Sequence, residues 1–72
     1  MRVTGVIEYQ EIGSGVWALV TEEGITYELK DTPPPLQSPQ LKVQLEGEVR
    51  DDVMTLAMIG PVLEVYSFEL LE

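Results

Sequence analysis

The side chains able to do chemistry are mostly carboxylates. Thirteen Asp and Glu stand against four bases, Arg2, Lys30, Lys42 and Arg50, for a formal net charge of −9. Several acids lie close together: Glu22/Glu23, Asp51/Asp52 and Glu46/Glu48. Two carboxylates can share acid and base roles in glycoside hydrolysis, but only where a cleft pushes their pKa values apart. A chain of 72 residues that must fill its interior with side chains offers little cleft. Asp51-Asp52 suits a turn, and Glu46 with Glu48 suits the solvated face of a strand. None of these pairs has the spacing of an EF-hand loop.

Nucleophilic and metal chemistry lack their usual parts, because histidine and cysteine are absent. That removes Ser-His and Cys-His pairs, ordinary zinc sites and disulfides. Ser14 lies in Gly13-Ser14-Gly15, which is not the Gly-x-Ser-x-Gly elbow of a hydrolase. No glycine loop with phosphate-binding spacing occurs either. The expectation is a protein that is not an enzyme and carries no cofactor and no metal. A chain without cysteine fits a reducing compartment, so a cytoplasmic location is expected.

Charge also bears on partners. Nucleic acid is held largely through phosphate contacts from Lys and Arg, and four bases supply few of them, so it is not favoured. Anionic membrane surfaces are disfavoured for the same reason. No apolar stretch of signal-peptide length opens the sequence. The uncharged run 53–63 is too short to span a bilayer, and Gly60-Pro61 interrupts it. The prolines at 33, 34, 35 and 39 contain no pair three apart, so they form no Pro-x-x-Pro ligand core.

The elements that must position these residues are strands within one domain, 1–72, with 31–41 as a proline-rich connection. Residues 42–50 put polar or charged side chains at every even position and apolar ones or Gly at every odd one. This is a strand with one buried face and one wet face. Residues 25–30 alternate likewise, and 2–10 more loosely, with Gly5 suggesting a bend or bulge. Strands are expected at 2–10, 16–22, 25–30, 42–50, 53–59 and 62–71. Consecutive prolines favour extended polyproline backbone in the connection.

Register follows from turn chemistry, since a slip of one residue sends every side chain to the other face. Glu22-Glu23-Gly24 suits a three-residue loop with Gly24 left-handed. That sets Leu19 opposite Tyr27 and Trp17 inside. A two-residue turn would put Trp17 outside, and burying the indole gains more than burying Val or Ala. A two-residue turn at Asp51-Asp52 would pair Leu45 with Met58, Gly47 with Leu56 and Val49 with Met54. It hides three large side chains, at roughly 1.5–3 kcal/mol each. Glu64, on the closing strand, is expected at an exposed edge.

The stretches "WALVTEEGITYEL" (17–29), "LKVQLEGEV" (41–49) and "LEVYSFELL" (63–71) resemble the strands of small bacterial OB-fold domains. The resemblance spans nearly the whole chain as a pattern, without a diagnostic motif. It implies an all-β, five- to six-stranded OB-like barrel with a proline-rich loop in place of the usual helix, capped by that loop or open at the bottom. Nucleic-acid-binding members of that fold display aromatics and bases on the outer face of strands two and three. Here that face would carry Val16, Ala18, Val20, Thr26, Glu28 and Lys30, with no aromatic.

Val16, Ala18 and Val20, together with Ile59, are therefore expected to form a partner-binding patch, since a contiguous exposed apolar surface marks an interface. The expected function is a non-catalytic protein-interaction or assembly module, engaging a protein partner or a second copy. The alternative is binding of single-stranded nucleic acid or a nucleotide through the outer face of strands two and three, which requires Trp17 outside.

Overall fold

The computed structural model describes residues 1–53 and 59–71. Five strands form among them: β1 (Arg2–Gln10), β2 (Val16–Thr21), β3 (Thr26–Lys30), β4 (Lys42–Val49) and β5 (Val62–Leu70). They hydrogen-bond in the order β1-β2-β3-β5-β4, and β4 returns to β1, so the sheet closes into a barrel. The pairs are antiparallel except β3–β5, which is parallel. The all-β barrel that the resemblance implies is what the described residues form. The expected strand at 53–59 falls mostly on 54–58, outside the described residues.

β1 serves two neighbours. Its residues 2–6 pair with β4 and 5–10 with β2, the handover falling where Gly5 faces both Val43 and Thr21. β2 and β3 meet through the three-residue loop 22–24 in the expected register, with Leu19 opposite Tyr27. Gly24 has φ +87°, a backbone conformation that costs an L side chain roughly 1–2 kcal/mol. The Gly24 N–H donates to Thr21 O at 3.0 Å and the Thr21 N–H to Ile25 O at 2.9 Å, closing the turn.

With that register, odd positions of β1 to β4 point inward. Ile7, Leu19, Tyr27, Leu29, Val43, Leu45 and Leu63 make the core, and Trp17 packs against them from the inner face. Its ring stands 4.8 Å, centroid to centroid, from that of Tyr9 on β1.

The connection between β3 and β4 adds a residue to this core that the alternating pattern does not reveal. Pro33 is extended, at φ −61° and ψ 145°, as the proline run predicts, but Pro34–Leu36 then tightens into a 3-10 turn. Proline fits the first positions of such a turn because no N–H is needed there. The Leu36 N–H donates to Pro33 O at 2.9 Å, and the Leu36 side chain is wholly buried in the core. The connection is thus not extended throughout. Burying one leucine, a gain of roughly 1.5–3 kcal/mol, outweighs the polyproline preference.

Two further expectations are corrected. β4 does not pair with 53–59 along Leu45: that residue faces Val3 on β1 and Phe68 on β5, so both its edges are taken. Gly47 and Val49 likewise face Val65 and Leu63 of β5. Asp51 and Asp52 do turn the chain, but the pairing proposed for Met54, Leu56 and Met58 concerns residues outside those described. Glu64 is not at an exposed edge. It lies between Lys30 of β3 and Glu48 of β4, is half-buried, and pairs with Arg50. The parallel β3–β5 contact closes the barrel over it.

Candidate functional site

The expected patch on β2 is assembled but not open. Val16, Ala18 and Val20 share the outward face and stand opposite Gln10, Glu8 and Val6 of β1. Ala18 and Val20 also face Glu28 and Thr26 of β3. Ala18, however, has no exposed surface and Glu28 is 5% exposed, while Val16 and Val20 are half-buried. Ile59 is half-buried too, next to Gly60, whose backbone lies against Thr26. Alternation assigns a face and not its exposure, so Ala18, expected to be exposed, is covered. With Trp17 on the inner face, the outer face of β2 and β3 holds no aromatic to stack on a base.

The acidic pairs separate into different settings. Glu22 and Glu23 are exposed in the β2–β3 turn. Glu46 lies 3.7 Å from Arg2. Glu48 accepts a hydrogen bond from the Tyr66 hydroxyl at 2.8 Å. Asp52 receives Arg50 Nε and a terminal nitrogen at 3.2 and 3.0 Å. The Arg50 guanidinium holds the Asp52 carboxyl below its ordinary value, and Glu48 raises the Tyr66 hydroxyl above its own. Among the described residues, no group of three or more Asp and Glu is placed to hold a metal ion.

A different surface stands out on β5. Its first half is enclosed: Val62 and Leu63 are buried and Glu64 and Val65 half-buried, whereas Tyr66, Ser67, Phe68, Glu69 and Leu70 are all exposed. The change has a cause in the ladder. β3 accompanies β5 only from Val62 to Glu64, and beyond it β5 is paired on one side alone, by β4, among the described residues.

A register shift opposite Glu46 and Gly47 inserts one extra residue in β5. Gly47 permits it, since a Cβ there would run into the Glu64 carbonyl. The shift turns Phe68 opposite Leu45 and Leu70 opposite Val43. Both partners are fully buried, so Phe68 and Leu70 prolong the inner, apolar face past the barrel wall. Ser67 and Glu69 lie on the outer face, opposite Glu46 and Gln44.

The backbone of this segment is half-used. The Leu71 N–H donates to Lys42 O at 2.8 Å. Bonded pairs recur every second residue in an antiparallel ladder. Ser67 and Glu69 therefore direct their N–H groups to β4, and Phe68 and Leu70 direct theirs to the open side. Sequence reasoning took 62–71 as the closing strand, with Glu64 at an exposed edge, and singled out no surface on it. The signal it passed over is the alternation within Tyr66-Ser67-Phe68-Glu69-Leu70.

Comparison with known proteins finds no family model, no curated protein and no solved structure that matches this chain. No helix among the described residues is long and apolar enough to cross a membrane.

Proposed function

We propose that this protein is a non-catalytic interaction module, an OB-like barrel that adds an extended segment of a protein partner to the open edge of β5. The strand order and the parallel pair β3–β5 support the OB-like reading. The observation that carries the functional reading is the run of five exposed residues, 66–70, on a stretch of β5 paired on one side among the described residues. Such an edge offers main-chain donors and acceptors for affinity and alternate side chains for specificity. An open edge without a partner is an aggregation hazard, and a net charge of −9 keeps free copies apart.

Amide hydrogen exchange tests this, with and without a short neutral peptide alternating valine and threonine. In the free protein, the Phe68 and Leu70 amides should exchange fast while Ser67 and Glu69 are protected by β4. Saturating peptide should slow the first pair. Leu70→Pro removes one open-side donor without touching the β4 ladder and should weaken the peptide. Protection of Phe68 and Leu70 already present in the free protein, or peptide-induced protection confined to β2, would sink the proposal.

A further inference from the structure

Building on that reading of β5, we infer that the segment it takes is basic. It carries Lys or Arg on the face it shares with Glu69 and apolar side chains on the face it shares with Phe68 and Leu70. Within 66–70, Glu69 is the charged residue, and no base pairs with it among the described residues. The arginines nearby are already engaged, Arg2 with Glu46 and Arg50 with Asp52 and Glu64. Lys42 is the base on this outer face of β4. Glu46 and Glu48 of β4 and Glu64 and Glu69 of β5 outnumber it.

Opposite charges facing each other across a ladder stabilise it, and like charges weaken it. An incoming strand therefore gains by setting a cation beside Glu69. A second copy of this chain fits poorly, because 66–70 contains no base to meet that carboxylate and the copy brings another charge of −9. The same field draws a basic segment in from a distance, and salt screens it.

The experiment is an amide-shift titration of the isotope-labelled protein with three short peptides, alternating valine with lysine, with threonine or with glutamate. The lysine peptide should move the Phe68 and Leu70 amides and bind about two- to fivefold more tightly than the threonine peptide for each facing pair. The glutamate peptide should bind weakest. The lysine advantage should shrink at high salt and in Glu69→Gln. Equal binding of the lysine and threonine peptides would overturn the basic preference and leave the open-edge reading standing. No shift of Phe68 and Leu70 with any peptide would overturn both. Shifts of these amides on raising the concentration of protein alone would assign the edge to a second copy and overturn the inference.

Discussion

Leu36 is the sharpest test of the core packing, because a residue from a proline-rich connection is asked to complete the core. Leu36→Ala removes a fully buried side chain in contact with the cluster around Ile7, Leu19 and Leu63. Such changes cost roughly 2–5 kcal/mol, the value depending on how far the surroundings collapse into the cavity. Collapse is limited in this place. The connection is tied to β1 by the Gln40 N–H to Ile7 O at 2.7 Å and the Ile7 N–H to Leu41 O at 2.8 Å. Pro34 and Pro35 restrict its backbone further. A loss of about 3 kcal/mol is expected, a large share of the roughly 4–11 kcal/mol available to a chain of this length. Thermal unfolding followed by Trp17 fluorescence should show Tm falling by about 12–24 °C. Pro35→Ala, at an exposed neighbour, should cost less than about 1 kcal/mol. If Leu36→Ala moved Tm no more than Pro35→Ala does, Leu36 would not be a core residue and the loop would not cap the barrel.

Other outcomes follow from single contacts. Gly47→Ala should destabilise by about 1–3 kcal/mol in urea unfolding, because the new methyl meets the Glu64 carbonyl; an unchanged midpoint would refute the close approach. Asp52 has a folded-state pKa below its ordinary value, so the native state binds fewer protons than the unfolded chain and the contribution is present above the unfolded pKa. It is lost as pH falls below about 4 through the lowered folded value. The difference in stability between the native protein and Asp52→Asn should therefore narrow on acidification across that window, and a constant difference would count against the Arg50 pairing.

The sequence by itself determined the faces of the alternating strands and the turn between β2 and β3. Alternation in 42–50 fixed which side chains of β4 face inward, and the glycine at 24 fixed the register of β2 and β3, which placed Trp17 inside. These properties depend on the two-residue period of an extended chain and on one residue with positive φ. The absence of histidine and cysteine narrowed the chemistry in the same direct way.

Only the tertiary structure decided which strands meet. The nearest apolar run after the Asp51-Asp52 turn looked like the partner of β4, but closure of the barrel gave both edges of Leu45 to β1 and β5. A ladder is set by how the whole sheet closes, and no local period records that. The same closure enclosed Glu64 beside Arg50. Packing from outside the ladder drew Leu36 into the core. Ala18, on the outer face of β2, is buried as well. Because β3 ends at Lys30, the last residues of β5 run on with one edge unpaired among the described residues. The exposed tail of β5 is thus a consequence of unequal strand lengths in three dimensions, while its alternating side chains were present in the sequence from the start.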